Sequence, residues 1–180
     1  MSERNTPSAT ELTEGADLAE RLEAVAGQLA AADPASVRKP VRVTSHLTGA
    51  YRVSSRVGDH EVVTDQSAAL GGDGSGPSPV NLAIAALGSC QAMTYRMWAL
   101  KLGIRLDEVT VVIDAMFDAR GLLGVANDTG VSPHEFEIEV TLRGPDQDRH
   151  EELRRAVNDH CPVLDLVRAQ HRVITRVGTD

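Results

Sequence analysis

From Leu82 to Met93 the chain carries no charged side chain, and its residues are apolar almost all the way round a helical wheel. Such a helix must be buried on several sides, so the rest of the chain has to fold around it. Ser78 as N-cap and Pro79 in the first turn mark its start. It is expected to run to about Lys101, where Gly103 can supply a left-handed cap. Asn81, Ser89, Gln91, Thr94, Arg96 and Lys101 interrupt or flank the apolar stretch, which therefore reads as a buried helix and not a membrane span. Gly88 and Ser89 are small enough to let another backbone pack close to Cys90. Aromatic residues make up only 3% of the chain, so the core must be aliphatic and few stacking platforms exist for bases or sugars.

The remaining periodicities supply the partners. Residues Met1 to about Thr10 read as disordered. A helix follows with Leu18, Leu22, Val25 and Leu29 on one face, ended by Asp33-Pro34. After Pro40 the period changes to two. Val41 and Val43 to Leu47, then Tyr51, Val53 and Val57, then Val62 and Val63 predict a three-strand antiparallel meander with turns at Gly49 and Gly58-Asp59. The glycine-rich Gly71 to Pro79 segment then delivers the chain into the helix. A lone Gly-rich loop can cradle phosphate, but here no Walker lysine or parallel-strand context accompanies it.

Val109 to Phe117 and His134 to Arg143 predict two more strands, joined by a loop over Gly121 to Ser132. In the second, Phe136, Ile138, Val140 and Leu142 alternate with Glu135, Glu137, Glu139 and Thr141, giving a core face and an acidic wet face. An amphipathic helix is expected from Asp146 to about Asp159, a short helix from Pro162 and a last strand over His171 to Val177. Helices and strands fall in separate runs, so the class is α+β. Residues 1–36 read as a disordered segment plus an amphipathic helical extension, and residues 37–180 as the folded domain.

With 180 residues, a net charge of −8 and a pI near 5.2, the chain suits one domain and is a poor partner for nucleic acid or an anionic membrane. The polar start shows no signal-peptide hydrophobic region. A cytoplasmic location is the expectation, and there a disulfide is transient and chemical, not a permanent staple.

Cys90 and Cys161 are the only cysteines. They either meet as a redox pair or pack separately as small hydrophobes, since free cysteine is among the most buried residue types. A reactive thiol needs its thiolate form. Pro162 in a first helical position would make Cys161 an N-cap facing free N–H groups. Cys90 lies inside its helix, where burial raises a thiol's pKa, so it needs a cation. Arg96, six residues on, points to another side of the helix, which leaves Arg52 or Arg56 of the meander as the candidates. His160 beside Cys161 does not make a dyad, because adjacent helical residues diverge by about 100°; a helix C-terminus is its expected place. The six histidines lack metal-type pairing and two lone cysteines lack zinc spacing, so neither a metal nor a cofactor is expected.

The runs Leu70-Gly71-Gly72-Asp73-Gly74-Ser75-Gly76-Pro77-Ser78-Pro79, Leu82-Ala83-Ile84-Ala85-Ala86-Leu87-Gly88-Ser89-Cys90 and His160-Cys161-Pro162-Val163 resemble the OsmC/Ohr family, the osmotically induced and organic hydroperoxide resistance proteins. The likeness covers about Val41 to Val177, within residues 37–180, and leaves out the N-terminal helix. It implies an OsmC-like fold: antiparallel sheets wrapped around a central buried cysteine-bearing helix in an intertwined homodimer, with active sites at the subunit interface. It further implies that Cys90 attacks an organic hydroperoxide and becomes a sulfenic acid, and that Cys161 resolves it as a disulfide. A dithiol, lipoylated proteins in the Ohr branch, would then reduce the pair. Arg52, with Arg56 in reserve, would steady thiolate and peroxide.

The family's glutamate after the helix-opening proline is missing, since those places read Val80 and Asn81. Asparagine can hydrogen-bond an arginine but cannot form the charge pair, so peroxidase activity is expected to be weaker or differently tuned than in the Ohr branch. Leu87, Met93, Met97 and Trp98 would suit an apolar peroxide tail. The alternative is a non-catalytic OsmC-like redox sensor, or a binder of a small apolar ligand.

Overall fold

The computed structural model describes residues 9–126 and 128–178. In order they form α1 (Ala9–Ala31), β1 (Val43–Leu47), β2 (Val53–Val57), β3 (His60–Thr64), α2 (Pro79–Leu102), β4 (Glu108–Met116), α3 (Ala119–Leu122), β5 (Glu135–Arg143), α4 (His150–His160) and α5 (Pro162–Arg168). Helices and strands alternate in runs, an α+β arrangement. No helix among the described residues is long and apolar enough to cross a membrane. The expectation of disorder from Met1 to Thr10 lies outside the described residues except at Ala9 and Thr10, which already belong to α1. Contacts divide the chain into two compact units, one built from residues up to 86 and 113–137, the other from 87–112 and 138 onward.

The first unit holds the expected meander, in the sheet order β1-β2-β3. Val43 stands opposite Val57 and Leu47 opposite Val53 in one antiparallel pair; Val53 faces Thr64 and Val57 faces His60 in the next. Gly58 makes the β2–β3 turn at φ 59°, a left-handed conformation that glycine adopts without steric cost. Thr64 and Asp65, where β3 ends, are buried. Most of the apolar stripe of α1 is open, with Leu18, Val25 and Leu29 exposed and Leu22 half-buried. α3, whose last two residues fall in the loop expected from Gly121, is capped by the Asp118 carboxylate accepting from the Arg120 N–H at 2.9 Å.

In the second unit, α2 ends as its sequence predicts. Gly103 sits at φ 64°, its N–H reaches the Leu100 carbonyl at 3.2 Å, and the Ile104 N–H reaches that of Ala99 at 2.8 Å. This pair of bonds is a Schellman cap. The Asp107 N–H bonds the Arg143 carbonyl at one end of the β4–β5 pair, and in the first unit the His134 N–H bonds that of Met116 at the other. The two strands therefore run antiparallel, and along both of them half-buried residues alternate with exposed ones. A single 3₁₀ turn, Gln147–Arg149, leads into α4. Leu153 and Val157 of α4 and Leu164 of α5 are buried, as are Leu87, Tyr95 and Ala99 of α2.

Two expectations need correction. α2 is not buried on several sides within one chain. It buries a single face, Leu87, Gln91, Thr94, Tyr95 and Ala99, while Met93 is 65% exposed and Met97 is also open. The positions i, i+4, i+7, i+8 and i+12 lie on one side of a helix, and only that side is packed. The strand expected over His171 to Val177 does not form: residues 171–178 carry no regular structure, and Val177 is 90% exposed. A strand exists only where an edge pairs its N–H and C=O groups, and neither sheet takes this segment as a neighbour.

Candidate active site

The two cysteines meet. The Cys161 thiol donates to the Cys90 sulfur at 3.5 Å, and both are free thiols. Each is held by backbone geometry the sequence explains. Ser78 caps α2, its hydroxyl accepting from the Asn81 N–H at 3.2 Å, and three turns later the helix presents Cys90, half-buried. Cys161 is the single residue between α4 and α5. Its own N–H bonds Val157 at 2.9 Å, its carbonyl receives the Asp165 N–H at 3.0 Å, and Pro162 opens the next helix as expected. It is 2% exposed.

Burial pushes the Cys161 thiol above its ordinary pKa of 9.0, and the backbone N–H of Leu164 acts against this. The hydrogen bond to Cys90 and the charge of that sulfur raise it further, and the Thr94 hydroxyl opposes the rise. The helix-end effect expected to activate Cys161 is therefore present, through Leu164, but burial outweighs it. Burial favours the protonated form of Cys161, which stands as donor to the Cys90 sulfur.

Thr94 is the residue sequence reasoning missed. Its hydroxyl donates to the Cys90 carbonyl at 2.7 Å, and its side chain is buried. The signal was available, since a threonine four residues after a helical cysteine lies over the preceding turn and back-bonds to it. Gln91, on the same buried face, has a side-chain amide nitrogen without a hydrogen-bond acceptor among the described residues.

Arg52 lies just before β2 in the first unit and is exposed; its backbone carbonyl accepts from the Thr48 N–H at 2.8 Å and the Thr48 hydroxyl at 3.3 Å. Arg56 is exposed within β2, opposite Thr44 on one side and Glu61 on the other. Arg96 spends its guanidinium on the Leu106 carbonyl at 2.9 Å. The first turn of α2, which holds Val80 and Asn81, contains no acidic residue. His160 ends α4 with Nδ1 at 2.8 Å from the Ala156 carbonyl, so that nitrogen carries the hydrogen. Its ring lies against Trp98, tilted by 39° with centroids 4.1 Å apart, and the Lys101 ammonium lies 4.1 Å from the Trp98 ring centre. Those contacts fit the helix-terminal role expected of it.

In the first unit, the glycine-rich loop closes on an anion of the protein itself. The Asp65 carboxylate accepts from the N–H groups of Gln66 (2.8 Å), Asp73 (3.2 Å) and Ser75 (3.1 Å) and from the Ser75 hydroxyl (2.9 Å). The donors that a phosphate cradle would offer are taken. A Cβ on Gly72 would stand 2.1 Å from the Gln66 carbonyl oxygen, and one on Gly76 would stand 2.5 Å from that of Val63. The glycines are there to let the loop lie against the end of β3.

Comparison with known proteins gives this geometry a context. Residues 72–176 match the sequence family described as OsmC-like protein. No curated protein matches the chain in sequence. Among solved structures it is similar to an OsmC-like protein from Mycoplasma pneumoniae, at TM-score 0.63 and 13% identity over 73% of this chain and 89% of that one. It is also similar to an OsmC-like protein of unknown function from Vibrio cholerae, at TM-score 0.57 and 11% identity over 72% and 94%. A third similar structure is an organic hydroperoxide resistance protein from Legionella pneumophila, at TM-score 0.51 and 20% identity over 72% and 90%. At these identities the likeness is one of fold.

Proposed function

The chain belongs to the OsmC-like protein family, and from that premise we propose that it is a thiol-dependent peroxidase reducing organic hydroperoxides. The observation that carries the reading is the 3.5 Å approach of the buried Cys161 sulfur to that of Cys90. Cys90 as thiolate attacks the distal peroxide oxygen; the S–O bond forms, the O–O bond breaks and the alkoxide leaves as alcohol after taking a proton. The sulfur is oxidised to sulfenic acid and the peroxide is reduced. Cys161 then attacks Cys90: the S–S bond forms, the S–O bond breaks and hydroxide leaves with the Cys161 proton as water. This is the reversible part of thiol oxidation. A dithiol, small or carried as a lipoyl group, returns the pair to thiols.

In this reading Arg52, with Arg56 as its alternate, steadies the Cys90 thiolate, and the protein works as a homodimer in the reducing cytoplasm. Support for the dimer is the open apolar side of α2 at Met93 and Met97, together with β1, exposed along its whole length. Purified protein should consume cumene hydroperoxide with a dithiol, and Cys90→Ser should abolish turnover. Absence of Cys90-dependent consumption with any dithiol sinks the proposal.

A second reading, a redox sensor that is oxidised once and does not turn over, is favoured by the absence of a carboxylate in the first turn of α2. Thiol titration separates the two, since a single stoichiometric oxidation without turnover identifies the sensor.

A further inference from the structure

We propose that α1 pairs antiparallel with α1 of a second copy of this chain, through the seam formed by Leu18, Leu22, Val25 and Leu29. The helix lies outside residues 72–176, the part that matches the OsmC-like family. It plays no part in the peroxidase reading, and its pairing is independent of that chemistry. The seam is spaced by four, three and four residues. That is the alternation of d and a positions in a heptad, with Leu22 and Leu29 at a and Leu18 and Val25 at d. A stripe confined to a and d is narrower than the face a helix buries on a globular core, and its complement is another helix of the same spacing. The chain itself leaves the seam open. Leu18 is 41%, Val25 51% and Leu29 56% exposed, and every residue from Glu23 to Ala31 is exposed.

Charge selects the partner and the direction. Asp17, Glu20 and Glu23 fall at c, f and b, off the seam, while the flanking e and g places hold Ala19, Arg21, Ala26 and Gln28. No carboxylate borders the contact, and the two alanines let the helices approach closely. The charges are also uneven along the helix. Three carboxylates and Arg21 lie between Gly15 and Glu23, and no charge lies between Ala24 and Ala31. A parallel pair would set two acidic halves side by side. An antiparallel pair sets each against a neutral half and places each positive helix end beside a negative one. Leu18 then meets the partner's Leu29, Leu22 meets the partner's Val25, and Arg21 lies beside the partner's neutral Gln28. The same acidic surplus makes an anionic lipid surface or a nucleic acid a poor occupant. Two heptads are short for a coiled coil that stands alone, so the pairing should depend on protein concentration.

The test uses the full chain with Leu18→Cys and Leu29→Cys together, in a Cys90→Ala, Cys161→Ala background so that no other thiol competes. The two positions stand eleven residues apart on one helix, about 16 Å along its axis, too far to bridge within one chain. Oxidised glutathione, added over a range of protein concentrations, should give a covalent dimer on a non-reducing gel. Trypsin cuts after Arg21 and Arg38 and so separates the two sites. Mass should find position 18 joined to position 29, with about tenfold less of the 18–18 and 29–29 products. The pair Glu20→Cys with Gly27→Cys, at f, should cross-link about tenfold less. Leu22→Glu, which sets a carboxylate against the partner's Val25, should suppress the bond by about tenfold or more. Leu22→Ala, which keeps the helix, should weaken it by less. Predominant 18–18 and 29–29 bonds mean parallel pairing and overturn the proposal. So do equal yields from the f pair, or yields unmoved by both Leu22 variants. A chain that gives no covalent dimer at any concentration overturns it too, and flotation with phosphatidylglycerol vesicles would then assign the seam to a lipid surface.

Discussion

The two units of this chain keep different things inside. In the second unit the deeply buried residues are mostly apolar, Leu87, Tyr95, Ala99, Leu153, Val157 and Leu164, and the thiol pair sits among them. In the first unit the deeply buried residues, among those described, are Thr64 and Asp65. One unit is held by packing. The other is held by a carboxylate around which a loop has closed. The difference teaches where chemistry can be placed: a thiol that must stay protonated until it is needed belongs in an apolar interior, where burial holds its proton on. A loop that must deliver a helix start in one place is better fixed by directional bonds to a charge.

The comparison breaks first, and most visibly, on large-to-small substitutions. Leu153 is 0% exposed, so Leu153→Ala should cost about 2–5 kcal/mol of unfolding free energy in denaturant titration. Leu47 in β1 is 69% exposed, and Leu47→Ala should stay within about 0.5 kcal/mol in a dilute single chain. A Leu47 cost that approaches the Leu153 cost as protein concentration rises would mean that a second copy covers the meander.

Next in size is the loop. Gly72→Ala puts a methyl against the Gln66 carbonyl, at 2.1 Å in the native backbone, and a backbone atom cannot swing aside as a side-chain end can. A loss of about 1–3 kcal/mol is expected by calorimetry or chemical denaturation. Gly27→Ala in α1, where nothing lies within 4 Å, should be neutral or stabilising. Equal effects at the two sites would mean that the loop is not pressed on β3 in solution.

Smaller again is the response to acid. The N–H of Ser75 is foremost in holding the Asp65 carboxyl below its ordinary 3.8; burial acts the other way, and the Gln66, Ser75 hydroxyl and Asp73 bonds add to the lowering. A depressed carboxylate stabilises the fold above its unfolded pKa, and that contribution is lost as pH falls through the lower folded value. On acidification below 3.8, the Asp73 and Ser75 amides should lose hydrogen-exchange protection before those of α4. The acidic residues of α4, Glu151 and Glu152, are also depressed by their arginine partners, but those pairs are exposed and contribute little. Asp65→Asn should lower the melting temperature at neutral pH and remove the acid step. Acid loss that begins in α4 contradicts the division drawn here.

Much of this arrangement was legible in the sequence. The meander could be read because its turns and its period of two agree, and α2 because Ser78, Pro79 and Gly103 punctuate an uninterrupted pattern. The order of the cysteine motifs pointed to a meeting of Cys90 and Cys161, but their 3.5 Å approach is a tertiary fact that spacing cannot supply. The strand expected at His171 to Val177 failed because β-propensity describes a surface waiting for a partner, and the single chain offers none. The exposed side of α2 was misread for a related reason: an apolar residue says that burial is favourable, not which chain provides it. Thr94 was hidden among apolar neighbours, although its spacing of four from Cys90 held the clue. The arginine proposed to steady the Cys90 thiolate is the least legible part, because the choice between Arg52 and Arg56 depends on register across elements far apart in sequence.

The finest test of the comparison lies at the other end of the pH scale. Cys161 is raised above 9.0, chiefly by burial, and Tyr95 above 10.0 for the same leading reason. For an acid whose folded pKa is raised, the unfolded chain loses its proton first, so between the two values the folded state binds more protons. Stability is then fully present below about 9 and falls as pH rises through the folded pKa. In the presence of a phosphine reductant, unfolding free energy should decline from about pH 8 to about pH 10.5, a span that begins just below an ordinary thiol's titration and runs above it. Cys161→Ala should flatten the thiol part of that slope and Tyr95→Phe the later part. The slope is the smallest of these effects because it involves at most one proton from each group. Its direction still carries information, since the second unit should weaken in alkali and the Asp65 loop in acid. A Cys161→Ala protein with the wild-type alkaline slope would mean that this thiol is not enclosed in solution, and the proposal that Cys90 attacks and Cys161 resolves would lose one of its supports.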